Sequence, residues 1–214
     1  MDTIIKDMNP ILQMLILMTV FSLLPLVFCC MTSFLRFVIV FSMLKTAMGT
    51  QQVPPSIVII GLAMILTFYT MGGTFQKMYE MGSVPYHKNQ NMIEAISEGS
   101  KPLKEFMLKQ TRESDIAFFV EMTNGGKAPS NPEELTVWQV APAYIISELK
   151  TAFEIGFIIF VPFIVLDLVV ANILLALGMF MLSPTIISLP FKLLIFIAVD
   201  GWALIVQGLV TSYN

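Results

Sequence analysis

The alternation of apolar and polar stretches divides the 214-residue chain into an apolar block (1–75), a polar insert (76–135) and a second apolar block (136–214). In the first block, Met8 to Leu35 carries no charge and is longer than the roughly 20 residues that cross a bilayer as a helix. Phe34 to Met48 continues as a helix bearing Arg36 and Lys45, with Gly49 as its C-cap. Val53-Pro54-Pro55 then breaks any helix, because a proline disfavours the α conformation in the residue before it. Ser56 is placed to N-cap an apolar helix from Ile57 to about Met71, ended by Gly72-Gly73.

In the insert, Pro102 takes the favoured first-turn position of an amphipathic helix, with Leu103, Phe106, Met107 and Gln110 at helical spacing. A second short helix is expected from Glu113 to Met122, ended by Asn124-Gly125-Gly126, with a loop marked by Pro129 and Pro132. These apolar positions imply a small folded subdomain. The second apolar block predicts a helix from Pro142 to about Leu177, bent at Pro162 and ended by Gly178. A loop through Ser183-Pro184 leads to a last helix from Pro190 to about Val210. Period-two alternation is absent, and an open sheet edge is not tolerated in lipid. The fold class is all-α: a hydrophobic, membrane-associated helical protein with bent helical hairpins and a small polar helical insert.

Composition sharpens this picture. Hydrophobic residues make up 56% of the chain, charged residues 13%, and the mean hydropathy is +0.80, against about 45–50% and about 25% in an ordinary soluble domain. Such a chain is either a membrane protein or a subunit packed among other hydrophobic subunits. Its net charge of -3 offers no basic excess for nucleic acid. Asp2 and Asp7 flank Lys6, so no cleavable secretory signal is expected and the first apolar segment is read as retained. The insert holds sixteen of the 27 charged residues. Seven of these are Lys or Arg, but its length is close to the limit at which the positive-inside rule loses force, and the topology stays open.

Eight charges interrupt the apolar blocks: Arg36, Lys45, Glu148, Lys150, Glu154, Asp167, Lys192 and Asp200. Each costs about 2.5–3.5 kcal/mol at the centre of a lipid-facing helix, so they are expected to be buried or to meet another subunit. Two readings stand side by side: a polar path, or charges that pair with each other and cap helix ends. At 100° per residue, Ser147, Lys150, Thr151 and Glu154 share a narrow arc, a polar stripe that suits water or a partner's polar face. Arg36 and Lys45 point to opposite sides of their helix and need separate partners. Met179-Phe180-Met181, in the turn between Gly178 and Ser183-Pro184, can conform to an irregular surface or simply pack on neighbouring helices.

Enzyme chemistry lacks parts. His87 is the only histidine and reads as a solvent-exposed loop residue, and Cys29 and Cys30 are adjacent in an apolar run. Neither metal nor cofactor is expected. Leu26-Val27-Phe28-Cys29 departs from a lipoprotein box at the large Phe28. Asp167 and Asp200 could form an intramembrane aspartyl dyad. Their contexts, Val165-Leu166-Asp167-Leu168 and Val199-Asp200-Gly201-Trp202, resemble neither half of that motif pair.

Several blocks together resemble the FliP/SctR family of the bacterial type III protein export apparatus. They are Met31-Thr32-Ser33-Phe34, Gly49-Thr50-Gln51-Gln52-Val53-Pro54-Pro55, Pro142-Ala143-Tyr144 and Ser147-Glu148-Leu149-Lys150-Thr151-Ala152-Phe153. Ile155-Gly156-Phe157, Pro162-Phe163, Asp167-Leu168, Pro184, Ser188-Leu189-Pro190-Phe191-Lys192-Leu193-Leu194 and Asp200-Gly201-Trp202 follow in order. The resemblance implies a non-enzymatic export-gate subunit of the bacterial inner membrane, within the flagellar basal body or the injectisome base. It implies assembly in several copies with FliQ-type and FliR-type subunits and other export proteins, in contact with membrane lipid, around a channel for unfolded protein substrates. The charges within the apolar blocks would then find intersubunit partners. The family's methionine gasket maps onto Met179-Phe180-Met181, where Phe180 replaces the usual methionine. The insert from Gly99 to Phe119 is closer to the flagellar type, while the expected absence of a signal peptide is more like injectisome members. A reading of a different class is a secondary transporter with intramembrane charges, although no convincing inverted repeat relates the two apolar blocks.

Overall fold

A computed structural model describes residues 10–50, 53–89, 92–124 and 135–213, and among these every regular element is a helix. In chain order they are α1 (Pro10–Met31), α2 (Phe34–Ala47), α3 (Ser56–Asn89), α4 (Met92–Gln110), α5 (Glu113–Asn124), α6 (Val137–Ala176), α7 (Pro184–Ala198) and α8 (Gly201–Thr211). Two are long and apolar enough to cross a membrane, Ser56–Pro85 and Val137–Ala176. The number rises to four if the bent pairs Phe21–Met31 with Phe34–Ala47 and Pro184–Ala198 with Gly201–Thr211 each form one span. The expected loop at Gly125, Gly126, Pro129 and Pro132 and the N-terminal Asp2, Lys6 and Asp7 lie outside the described residues.

The chain packs as two compact units, Met1–Phe34 with Met71–Ser147, and Leu35–Thr70 with Glu148–Asn214. The first has a core of Met31, Met71, Leu103, Met107, Val120, Leu135, Val140, Ala141 and Tyr144. At its α1 end, Thr32 Oγ1 donates to the Phe28 carbonyl at 2.6 Å and accepts from the Phe34 N–H at 3.3 Å. One hydroxyl thereby satisfies an orphan carbonyl of α1 and an orphan amide near the start of the next helix. Three boundaries in this unit differ from expectation. The α3 helix does not stop at Gly72-Gly73 but runs to Asn89; Phe75 and Met78 on the extension pack against the core, which offsets the glycines' low helix propensity. His87 therefore sits in a helix rather than a loop. The α4 helix starts ten residues before Pro102, which lies inside it. Its early turns pack closely on α3, where a Cβ at Gly82 would lie 3.2 Å from the Ala95 carbonyl and 3.5 Å from the Gly99 Cα. The α6 helix begins at Val137, not Pro142. Gln139 Oε1 accepts from the Thr136 N–H at 2.9 Å, one half of a capping box.

The second unit gathers α2, the first turns of α3, the greater part of α6, and α7 with α8. Its core includes Phe37, Val40, Phe41, Leu44, Ala63, Ala152, Phe163 and Leu209. The α6 helix ends as the sequence implies: Gly178 has φ +74, and the Met179 N–H reaches the Leu174 carbonyl at 2.9 Å while the Gly178 N–H reaches Leu175 at 3.1 Å. This is a Schellman cap. The expected single last helix is instead two, starting at Pro184 and broken at Val199–Asp200 with a bend of 63°. Asp200 adopts the left-handed conformation (φ 52, ψ 50), and Gly201 sits so close to the Phe196 ring that a Cβ would lie 2.3 Å from it. Trp202 completes the corner, edge-on to Phe196 at 5.5 Å and 6.4 Å from Phe41 between ring centroids.

Candidate functional site

Three features of the second unit stand out: two ion clusters within its apolar packing, and the loop that joins α6 to α7. The first cluster spans α2, α6 and the residues after α8. Arg36 is 3% exposed and Glu148 fully buried. Arg36 Nε donates to Glu148 Oε2 at 2.8 Å and Nη2 donates to Oε1, so the guanidinium forks across both carboxylate oxygens. Arg36 Nη1 donates to Ser212 Oγ at 2.9 Å and to the Ser212 carbonyl at 3.4 Å. Tyr213 Oη donates to Glu148 Oε2 at 2.6 Å, and its ring lies under the guanidinium, 3.8 Å from the Arg36 Cζ. Hydrogen bonding of this completeness is what allows a charge pair to persist out of water.

The second cluster joins α2, α6 and α7. Lys192 Nζ, 4% exposed, donates to Asp167 Oδ2 at 2.7 Å and to the Ala47 carbonyl at 3.2 Å. Ser188 Oγ donates to Asp167 Oδ1 at 2.5 Å. Ala47 is the last residue of α2, so the ammonium also sits at the negative end of that helix dipole.

The remaining charges among the eight lie differently. Lys45 is half-buried, while Lys150, Glu154 and Asp200 are exposed on the chain. Burial within the chain does not hold for these last three: Lys150 and Glu154 lie on the outward arc of α6, and Asp200 occupies the helix break. The stripe on α6 is also divided. Ser147 is buried in the first unit, where its Oγ accepts from the Arg112 N–H at 3.1 Å, and Lys150 and Glu154 face outward. Four charges that could have sought partners elsewhere are matched inside the chain, Arg36 with Glu148 and Lys192 with Asp167.

The loop from Leu177 to Ser183 is exposed throughout. Met179 is 48% exposed, Phe180 77% and Met181 100%. The Schellman cap at Gly178 and the Pro184 start of α7 fix its two ends, while the side chains between them pack on little of the chain itself. Simple packing on neighbouring helices of the same chain therefore does not describe Met181. Among the described residues, no group of three or more His, Cys, Asp or Glu side chains is placed to hold a metal ion.

Comparison with known proteins decides the lineage. Residues 17–209 match the FliP family. The chain belongs to the FliP family. The flagellar biosynthetic protein FliP of Bacillus subtilis is 44% identical over 209 residues, covering 97% of this chain and 94% of that protein. The FliP of Caulobacter vibrioides is 47% identical over 205 residues, covering 95% of this chain and 77% of that protein. That of Buchnera aphidicola from Acyrthosiphon pisum is 46% identical over 203 residues; they cover 94% of this chain and 53% of the relative, so the chain spans about half of that protein. Within the FliP framework, Ser212 and Tyr213 are the residues that sequence reasoning missed. A serine and a tyrosine after the last apolar run carry no periodic or charge signal, and only the fold brings them to Arg36.

Proposed function

We propose that the chain is a core subunit of the export gate of a bacterial flagellar type III protein export apparatus, a conduit for unfolded proteins with no catalytic step of its own. It works in the inner membrane, in several copies and together with FliQ-type and FliR-type subunits. Lys45, Lys150, Glu154 and Asp200 supply charges to contacts between subunits. The Met179-Phe180-Met181 loop contributes to a narrow apolar ring around the path.

The observation that carries this reading is the exposed apolar loop at the tip of a hairpin whose helices are tied by ion clusters, in a chain of the FliP family. Methionine side chains are flexible enough to yield around a passing segment and to close again. An apolar constriction excludes water and ions when empty. The family match favours export over the secondary-transporter reading, and the relatives' flagellar names favour the flagellum over the injectisome.

Replacing Met179, Phe180 and Met181 together with alanine is expected to raise ion leakage through the assembled gate. The measurement is membrane conductance in cells that carry the complex without substrate. Unchanged conductance in the triple variant, with the protein present at normal abundance, would rule out the loop as a seal.

A further inference from the structure

We propose that Tyr213 is a positioning residue for the gate. It locks the Arg36–Glu148 pair and so holds the α6–α7–α8 hairpin closed behind the Met179-Phe180-Met181 loop. The proposal rests on the export-gate reading for its functional arm.

The geometry has two levels. Glu148 and Tyr213 bracket the whole hairpin, 65 residues apart in sequence and joined at 2.6 Å. Asp167 joins Ser188 and Lys192 nearer the loop, 21 and 25 residues apart in sequence. At 1.5 Å rise per residue, the two attachment points on α6 are about 28 Å apart along the helix, and the nearer one is about 16 Å from Gly178. The hairpin is thus pinned at both ends, and the exposed loop lies beyond the nearer pin.

Tyr213 does more in the far pin than fill space. Its hydroxyl donates to the carboxylate while its ring lies under the guanidinium that the same carboxylate pairs with. One side chain therefore touches both charges, which belong to α2 and α6, and links both to the end of α8. Packing alone is satisfied by a phenylalanine. The hydrogen bond is not, so Tyr213→Phe separates the two roles.

The experiment uses the full chain expressed in a flagellated strain that lacks its own copy, with Tyr213→Phe and Tyr213→Ala as variants. Three quantities are read: abundance in the membrane, export of flagellar subunits, and amide hydrogen exchange over residues 201–213 in the purified complex. Loss of a hydrogen bond to a charged group is expected to speed exchange roughly tenfold or more in Tyr213→Phe, with a larger effect in Tyr213→Ala. Export in Tyr213→Ala is expected to fall severalfold at unchanged abundance, with Tyr213→Phe in between. Unchanged exchange in both variants overturns the proposal, and so does faster exchange with export intact. Export that falls only in step with abundance overturns it too, because that is the signature of a residue needed for folding alone. If Tyr213→Ala does not accumulate, the exchange and export of Tyr213→Phe decide. Failure of the wild-type chain to restore export would sink the export-gate reading instead, and the exchange comparison would still say whether Tyr213 locks the hairpin.

Discussion

Lys192 Nζ lies 2.7 Å from Asp167 Oδ2, but the two partners are unequally sheltered, with side-chain exposures of 4% and 27%. Removing one member of a buried pair leaves the other uncompensated, at about 3–5 kcal/mol for a fully buried charge. The costs here should therefore be asymmetric. Asp167→Ala strands an ammonium that is shut in, with only the Ala47 carbonyl and the α2 dipole to hold it. Lys192→Met strands a carboxylate that still accepts the Ser188 hydroxyl. The expected result in purified protein is a larger fall in thermal stability for Asp167→Ala than for Lys192→Met, with the double variant less affected than Asp167→Ala alone. Equal losses for the two single variants would contradict this account.

Two buried glycines should respond differently to a methyl group. At Gly201 the added Cβ would meet the Phe196 ring at 2.3 Å, and that ring also lies edge-on to Trp202 and tilted against Phe163. A flat ring held on two sides cannot step aside, so Gly201→Ala should cost about 1–3 kcal/mol through overpacking. At Gly156 the same atom would meet Met43 Sδ at 2.2 Å and Cε at 2.6 Å, the far end of an unbranched side chain that can change rotamer, which leaves the closer-held Met43 Cβ at 3.2 Å. Gly156→Ala should be the milder variant. Comparing unfolding midpoints of the two proteins in one detergent tests the order.

The same corner shows what the chain pattern could and could not reveal. Helix ends set by local chemistry were legible: Gly49 and Gly178 both have positive φ, where a helix-terminating glycine was expected. The break at Asp200 is easily passed over because the run from Ile195 to Leu204 is otherwise apolar, although Asp200-Gly201 is itself a turn-forming dipeptide and Asp200 takes the left-handed conformation there. Gly72-Gly73 failed as a stop signal because core contacts further along α3 outweigh two weak helix formers. Within the site, the eight charges declared themselves by standing in apolar sequence. Their pairing did not, because Arg36 and Glu148 are 112 residues apart. The methionine loop was the most readable part, since its position depends only on a glycine, a proline and the apolar helices either side.

Gly178 isolates a purely conformational cost. It has φ +74 and a Cβ there would meet nothing within 4 Å, so Gly178→Ala brings strain without a clash. A left-handed conformation costs a non-glycine residue about 1–2 kcal/mol. Asparagine tolerates it better, so Gly178→Asn should retain more stability than Gly178→Ala. Thermal unfolding of the two variants measures this. An alanine variant as stable as the parent would mean that the end of α6 rearranges without cost.

Phe180 allows stability and the proposed sealing role to be separated at a single position. It is 77% exposed on the chain, and substitutions at exposed sites without special contacts usually change stability by less than about 0.5 kcal/mol. Phe180→Met and Phe180→Asp should therefore fold and accumulate alike. Their behaviour in the assembled complex should diverge. Methionine keeps the ring apolar and more compliant, so conductance should stay low and export intact. If the loop lines the proposed apolar constriction, aspartate brings a charge whose hydration draws water into it, so ion leakage should rise. If the aspartate variant accumulates normally and conducts no more than the methionine variant, residue 180 does not face the constriction, and the seal must be sought in Met179 and Met181 or outside this loop.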